Sequence, residues 1–262
     1  MIRLIACDMD GSLLDDRKRM PPEFFEILPR LKKKGISFVV ASGRSYVTLQ
    51  QNFSPVSEQI DYICDNGAYV LHSGAPAVNT LSHGLLRSLI RACSELQDIQ
   101  LILCGARASY MKAFTAEFNV EIGSYYINRR FVDDLSTVDD DIFKVAIYDA
   151  NHPETHTHPF LTERFGSQLS LQISGPYWMD VMSKGINKGA ALEKIQNKLG
   201  ITPEETMAFG DSYNDIELLG RARFSFVMEN SNEDMRRYGN FIAASNNDKG
   251  VIRAIEEYAL SQ

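Results

Sequence analysis

The chain has 262 residues, of which 44% are hydrophobic and 23% charged, as is ordinary for a globular protein of one large or two modest domains. A formal net charge of −7 argues against nucleic acid or an anionic membrane as partner, because no basic stripe is present to bind phosphate backbones. No apolar run approaches the ~18 residues that cross a bilayer, and no signal-peptide pattern precedes the first strand, so we expect a cytoplasmic protein.

Two aspartates follow the first predicted strand. Residues 3–7 form an apolar run bounded by turn residues, which predicts a buried strand of a parallel sheet. Asp8 and Asp10 leave its carboxyl end together, where doubly wound sheets bind ligands. Carboxylates this close repel one another unless they share a cation. The pattern favours a magnesium site beside a carboxylate nucleophile, although a helix cap or an Asx-turn followed by Gly11 would also explain it.

The second strand ends in a candidate anion site. Before it, residues 23–34 predict a helix that Pro29 should kink or split. Residues 36–41 predict a buried strand, and Ser42, Gly43 and Arg44 follow it directly, ahead of a helical stretch. A hydroxyl and free backbone N–H groups at a helix start suit an anion, but Ser42 alone would be explained as a helix cap.

From about residue 82 the regular alternation of strands and helices changes. Residues 62–64 predict a third strand, which ends in an Asp-Asn-Gly-Ala turn at residues 65–68. Residues 82–181 predict two helix-plus-strands units, which together form a small α/β insert. We therefore predict an α/β fold: a Rossmann-like, doubly wound parallel-sheet core formed by residues 1–81 and 182–262, with a smaller α/β cap domain formed by residues 82–181.

Three polar groups in the insert have simpler explanations than a site. Prolines interrupt the histidine group and no carboxylate or cysteine set completes it, so we interpret these histidines as exposed side chains. The acidic group predicts a solvated loop, and the arginine pair predicts a surface pair. The groups are His152, His156 and His158; Asp133, Asp134, Asp139, Asp140 and Asp141; and Arg129 with Arg130.

A lysine at a helix start is the next strong signal. Asn187 fits the cap position of a helix that runs to about Leu199, which puts Lys188 in its first turn. A cation there opposes the helix dipole, an unfavourable placement unless an anion lies nearby. The position of Lys188 therefore indicates a function.

The most specific segment follows the strand predicted at residues 206–209. There Gly210 and Asp211 are followed, two residues later, by Asn214 and Asp215. Capping would explain either aspartate singly, but it does not explain the whole pattern at the carboxyl end of a buried strand.

These segments together resemble the motifs of the haloacid dehalogenase superfamily of phosphohydrolases, in the form found in its Cof-type branch. Residues 8–14 resemble motif I, with Ser12 where Thr is most common; residues 42–44 resemble motif II; Lys188 matches motif III; and residues 210–215 resemble motif IV. The resemblance is dense over the core and architectural only in the cap.

The resemblance implies a Mg²⁺-dependent phosphatase that hydrolyses small phosphomonoesters through an aspartyl phosphate on Asp8. Asp10 would act as general acid and base, and Lys188 would neutralise the nucleophile and the phosphoryl group. The remaining implied roles are the metal ligands Asp8, Asp10 through its backbone carbonyl, and Asp211; the phosphate-binding residues Ser42, Gly43, Arg44 and Asn214; and Asp215, which supports the metal or Lys188.

Two other functions stay open on the sequence. A phosphomutase of the same superfamily would return the phosphoryl group to its substrate, and a regulatory module would only bind a phosphorylated ligand. The acid at Asp10 and the large insert favour an enzyme. We expect a small phosphorylated metabolite as partner, either a sugar phosphate or a phosphorylated cofactor, and a monomer or small homo-oligomer.

Overall fold

The computed structural model describes residues 1–124 and 126–261, and the chain forms two compact units. The larger unit comprises Met1–Pro76 and Asn187–Gln262, and the second unit comprises Ala77–Ile186. The second unit is thus inserted into the sequence of the larger one, and the insert predicted at residues 82–181 lies within it.

Strands and helices cover most of the chain. The strands are β1 Leu4–Asp8, β2 Ser37–Ala41, β3 Asp61–Cys64, β4 Tyr69–His72, β5 Ala75–Val78, β6 Ile99–Gly105, β7 Ser109–Met111, β8 Arg129–Phe131, β9 Ile142–Asp149, β10 Leu169–Gly175, β11 Trp178–Ser183, β12 Thr206–Gly210, β13 Phe224–Met228 and β14 Phe241–Ala243. The helices are α1 Glu23–Lys33, α2 Tyr46–Asn52, α3 His83–Cys93, α4 Ala116–Glu121, α5 Thr157–Phe165, α6 Lys188–Leu199, α7 Ile216–Leu219 and α8 Gly250–Ile255, the last continuing as a π-helical turn over Glu256–Leu260. Across the described residues, none of these helices has both the length and the apolar character to cross a bilayer.

The larger unit contains an eight-stranded sheet in the order β14-β13-β12-β1-β2-β3-β4-β5. Neighbouring strands from β14 through β3 run parallel, and β4 pairs antiparallel with β3. Strand β1 lies at the centre, where Leu4 pairs with Ser37 on one side and with Thr206 on the other. The order reverses at β1, as in doubly wound sheets, and places the carboxyl ends of β1, β2 and β12 side by side.

Both faces of this sheet are buried. Ile5 and Cys7 belong to a core that includes the buried side chains of α1 and α8. Leu4 and Ala6, which point to the opposite face, belong to a second core with α6 and α7. Burial on both faces explains why the first strand has no alternation of polar and apolar residues. The predicted α/β class with a doubly wound parallel sheet is confirmed.

Helix α1 continues through Pro29, so the predicted split of this helix is wrong. Proline removes one backbone hydrogen bond, but Pro29 lies on the exposed side, where water can bond the carbonyl left without a partner. The opposite side of the helix buries Phe24, Ile27, Leu28 and Leu31 against the sheet. Burial of four large apolar side chains outweighs the loss of one hydrogen bond.

The second unit contains a six-stranded sheet in the order β10-β11-β9-β6-β7-β8. Its neighbouring strands pair antiparallel, except that β7 and β8 are parallel. The short strand β8 contains Arg129 and Arg130, which were expected only as a surface pair. Leu103, Val145 and Met179 pack on one face with Leu89 of α3 and Leu161 of α5. This unit therefore has a hydrophobic core of its own.

Asp140 does not lie in a solvated loop, and that prediction is wrong for this residue. Its side chain is buried and accepts hydrogen bonds from the backbone N–H of Arg107 and the hydroxyl of Tyr110, both at 2.9 Å. It thereby holds the turn between β6 and β7. Asp139, the neighbour in sequence, is exposed.

Candidate active site

Polar side chains collect at the carboxyl edge of the central strands of the larger unit. Asp8 is the last residue of β1, Ser42 follows β2 and Asp211 follows β12. Because these three strands are parallel neighbours, their ends bring together residues that are far apart in sequence.

A buried lysine links two of the aspartates. Lys188 Nζ donates to Asp8 Oδ1 at 2.6 Å and to Asp215 Oδ1 at 2.7 Å, and only 1% of the lysine is exposed. Helix α6 begins at Lys188, and Asn187 caps it by accepting the N–H of Ala190 at 2.7 Å, as predicted. Burial lowers the pKa of the lysine, but the charges of Asp215 and Asp8 outweigh burial and raise it above its usual value. The ammonium therefore stays charged and compensates the two carboxylates.

Asp8 keeps one carboxylate oxygen free of protein partners. Burial, followed by the charge of Asp215, raises the pKa of Asp8 well above its usual value, and Lys188 opposes that rise. Its Oδ1 accepts from Lys188, whereas its Oδ2 is buried and has no hydrogen-bond partner within the described residues. A buried carboxylate oxygen without a partner is costly, so it marks a place where a cation or a reacting group would be stabilised.

Three carboxylates converge closely enough to hold a metal ion. One oxygen from each of Asp8, Asp211 and Asp215 lies within 4.8 Å of the others. Burial, followed by the charge of Asp215, raises the pKa of Asp211 to about 6, and the charge of Lys188 opposes that rise. Ser12 Oγ donates to Asp211 Oδ1 at 3.3 Å, and Gly11, at φ +85°, packs so closely on the carboxylate that an added Cβ would clash.

The donor set fits a magnesium ion, which prefers carboxylate oxygens. Asp215 is already engaged: Oδ1 accepts from Lys188, and Oδ2 accepts the backbone N–H groups of Asp211 and Ser212 at 3.1 and 3.2 Å. Asp8 and Asp211 are thus the carboxylates with capacity to hold the ion, and Asp215 braces the lysine and the loop that carries Asp211.

Asp10 forms a second ionic cluster with two cations. Arg44 donates from Nε to Oδ2 at 2.7 Å and from Nη2 to Oδ1 at 2.6 Å, and Lys18 Nζ lies 2.8 Å from Oδ1. Burial raises the pKa of Asp10, but the hydrogen bonds from Arg44 and Lys18 outweigh burial and lower it below its usual value. The guanidinium of Arg44, which was predicted to bind phosphate, thus donates to the carboxylate of Asp10. Lys18 was not identified from the sequence, where it is part of a charged loop.

Ser42, Gly43 and Asn214 lie around the turn that follows β3. Ser42 is buried and accepts the backbone N–H of Arg44 at 3.1 Å, and the cap position of α2 is taken by Ser45, so Ser42 does not cap that helix. Asn214 Nδ2 donates to Asn66 Oδ1 at 3.1 Å. Asn66 was predicted as part of a turn that also resembles the Cof-type pattern, and its place beside Asn214 was not anticipated.

The histidine group of the second unit does not form a metal cluster in the described part of the chain. His156 Nδ1 is instead bonded to the buried Asp149 at 2.9 Å, and Thr157 donates to the same carboxylate. His152 stacks on Tyr177. Asp149 thus binds both His156 and Thr157 at the start of α5, and these contacts hold the segment that leads into that helix.

The chain is similar in sequence to known proteins. Residues 5–255 match the family model described as haloacid dehalogenase-like hydrolase. A 5-amino-6-(5-phospho-D-ribitylamino)uracil phosphatase of Escherichia coli is 30% identical over 259 residues, covering 98% of this chain and 96% of that protein. A Bacillus subtilis phosphatase of the same description is 28% identical over 260 residues, covering 99% and 96%.

The fold is also similar to solved structures. The crystal structure of a Streptococcus mutans protein superposes with a TM-score of 0.92, at 26% sequence identity, over 100% of both chains.

Proposed function

The chain belongs to the haloacid dehalogenase-like hydrolase family, and from this membership we propose that it is a Mg²⁺-dependent phosphatase acting through an aspartyl phosphate on Asp8. It is an enzyme of the hydrolase class, and relatives of nearly the same length are named as phosphatases. The observation that carries the proposal is the buried Lys188, which compensates Asp8 while leaving Asp8 Oδ2 without a hydrogen-bond partner among the residues that the structure describes.

Asp8 is the nucleophile of the proposed reaction. A carboxylate oxygen of Asp8 forms a bond to the phosphorus of the substrate, and the ester bond between phosphorus and the leaving oxygen breaks. Lys188 stays charged beside Asp8 and offsets the negative charge of the nucleophile and the phosphoryl group. Mg²⁺, held by the carboxylates of Asp8 and Asp211 with the backbone carbonyl of Asp10, would supply further positive charge to the transferring phosphoryl group.

Asp10 moves the protons in both halves of the reaction. It gives a proton to the leaving oxygen in the first half, and in the second it takes one from the water that attacks phosphorus. The bond between phosphorus and Asp8 then breaks, which restores the carboxylate and releases inorganic phosphate. Arg44 and Lys18 hold Asp10 in place and lower its pKa. This favours the charged form that takes a proton in the second half and disfavours the protonated form that the first half needs.

The phosphate is oriented by Ser42, by the backbone at Gly43 and by the amide of Asn214. These groups flank Asp8 at the neighbouring strand ends, and hydrogen-bond donors placed there would meet the phosphate oxygens. Asp215 holds the site residues in place, because it accepts hydrogen bonds from Lys188 and from the backbone N–H of Asp211.

Small phosphorylated metabolites are the proposed substrates. Two relatives are named for a phosphoribityl compound, which is a phosphomonoester on a polyol chain. We propose that the predicted cap, residues 82–181, selects among sugar phosphates and phosphorylated cofactors of this kind, while the larger unit carries the chemistry.

The test is phosphate release from a panel of phosphomonoesters, with and without Mg²⁺, using Asp8→Asn as the matched blank. We expect release by the wild-type chain that chelation of Mg²⁺ abolishes and that the variant lacks, although its circular dichroism spectrum is unchanged. Release by Asp8→Asn at the wild-type rate would refute the mechanism. Tight phosphate binding without release from any compound would instead favour a regulatory binding module.

A further inference from the structure

The turn after β3 holds an unusual backbone conformation inside the larger unit. Asp65, Asn66 and Gly67 have φ values of 48°, 54° and 100°, three left-handed residues in succession. Asp65 and Asn66 are also nearly fully buried. Non-glycine residues avoid this region, and such strain persists only where surrounding contacts hold it, often beside a functional site.

This turn contacts three of the segments that form the candidate site. The N–H of Asp65 donates to the carbonyl of Arg44, and the N–H of Asn66 donates to the carbonyl of Ser42, both at 3.0 Å. A Cβ added at Gly67 would lie 2.5 Å from the carbonyl oxygen of Asn187, the residue before Lys188. The turn is therefore fitted against the loop after β2 and against the start of α6.

The third contact is made by the side chain of Asn66. Its Oδ1 accepts from Asn214 Nδ2 at 3.1 Å, a bond between residues 148 positions apart. An amide nitrogen carries two N–H groups, and this bond uses one of them. It sets Nδ2 as the end of the Asn214 amide that faces Asn66 and leaves one N–H that this bond does not use.

We propose that Asn66 is a positioning residue, held in a left-handed turn so that its Oδ1 orients Asn214 as a phosphate donor. This inference rests on the proposed function, because it takes Asn214 as a ligand of the phosphate group. Asn66 itself acts through Asn214 and is not a ligand of the phosphate.

A double-mutant cycle tests the proposal, with p-nitrophenyl phosphate as substrate and inorganic phosphate as competitive inhibitor. Glycine adopts positive φ without strain, so Asn66→Gly removes the acceptor and keeps the turn. We expect Asn66→Gly and Asn214→Ala each to raise the inhibition constant of phosphate about tenfold, consistent with the loss of one hydrogen bond to a charged group. The double variant should also raise the inhibition constant of phosphate by about tenfold, because both changes remove the same interaction.

Two controls separate positioning from a merely structural role. Ser73→Gly changes another left-handed residue of the same unit, at φ 51°, and should leave the inhibition constant unchanged. Asn66→Asp keeps an acceptor oxygen for Asn214. Adding Asn214→Ala to this variant should therefore still raise the inhibition constant of phosphate about tenfold relative to Asn66→Asp alone, whatever effect the added charge has by itself. This second cycle also serves if the glycine variant does not fold.

The outcomes are distinct. A double variant whose effect is the product of the single effects, about a hundredfold, would overturn the proposal, as would an Asn66→Gly chain that loses thermal stability but binds phosphate normally. If the wild-type chain hydrolyses no p-nitrophenyl phosphate, the proposed function fails first and the inference falls with it. Wild-type hydrolysis combined with additive effects refutes the inference alone.

Discussion

At the scale of single residues, Lys188 is the charge on which the site depends. It is almost fully buried between Asp8 and Asp215, and each carboxylate would otherwise be a buried anion. A buried ion pair contributes little net stability compared with apolar residues, but removal of one partner leaves an uncompensated charge. The same lysine thus stabilises the folded chain and prepares Asp8 for an attack on phosphorus.

We therefore expect Lys188→Gln to lose both stability and turnover. The free energy of unfolding at pH 7 should fall by about 3–5 kcal/mol, because Asp8 and Asp215 remain buried without a cation. Turnover should fall about 100-fold or more, as for other lost electrostatic stabilisers of a transition state. Urea unfolding and initial rates of phosphate release measure the two effects.

Lys184→Gln is the matched control, since Lys184 is exposed and donates to the backbone carbonyl of Gly166. Its free energy of unfolding should change by less than about 0.5 kcal/mol. A Lys188→Gln chain as stable and as active as this control would contradict the role assigned to Lys188.

The sequence predicted the place of some residues in the candidate site but not the contacts of others. Lys188 was identifiable because an asparagine cap and a lysine at a helix start are local signals with an electrostatic meaning. The bonds from Arg44 to Asp10 and from Asn214 to Asn66 join residues 34 and 148 positions apart, and no local pattern encodes them. Such pairs depend on the way the strand ends meet, which only the folded chain determines.

At the scale of elements, Asp140 shows how one buried carboxylate can hold a turn. It accepts from Arg107, within the turn between β6 and β7, and from Tyr110, in β7. Burial raises its pKa, but the hydrogen bonds from Arg107 and Tyr110 outweigh burial and lower the pKa below its usual value. A carboxyl with a lowered pKa in the folded chain stabilises that chain only while it is ionised.

The stabilisation by Asp140 should therefore depend on pH. At pH 7 we expect Asp140→Asn to lower the free energy of unfolding by about 2 kcal/mol, the size of a hydrogen bond to a charged group. Because the pKa is lower in the folded than in the unfolded chain, the difference should persist down to about pH 4 and shrink as the pH falls through the folded-state pKa. Urea titrations of both chains at several pH values measure it.

Asp139→Asn, at the exposed neighbouring position, should show no comparable difference at any pH. An effect of Asp140→Asn that stays constant down to pH 2 would show that its charge is not what holds the turn.

The elements of the larger unit were more predictable than those of the second unit. Strands β1, β2 and β12 are buried on both faces, so their uninterrupted apolar runs stand out from the flanking loops. Strand β8 is three residues long and begins with two arginines, so neither its length nor its composition signals a strand. Its position comes from pairing with β7, which is a tertiary effect.

At the scale of the whole molecule, the second unit has what an independent domain needs. Its sheet, α3 and α5 enclose a core that consists of its own residues, including Leu103, Val145 and Leu161. Its length of about 110 residues is within the range of single domains that fold alone.

We expect the fragment 77–186, expressed by itself, to unfold in one cooperative thermal transition with near-native circular dichroism. Cooperative unfolding follows when one core supplies most of the buried apolar area. Differential scanning calorimetry measures the transition, and the full-length chain provides the reference. A fragment that melts without a heat-absorption peak would show that the second unit requires the larger one for its structure.

The central position of β1 also has a consequence for synthesis of the chain on the ribosome. One edge of β1 pairs with β2, which follows directly, whereas the other pairs with β12, which begins at Thr206. At a rate of ~10 residues per second, β12 emerges about 17 s after β2, and for that time one edge of β1 is open to other strands. The nascent chain therefore carries Asp8 from the outset on an aggregation-prone strand, and it gains Lys188 and Asp211 only when its last third is made.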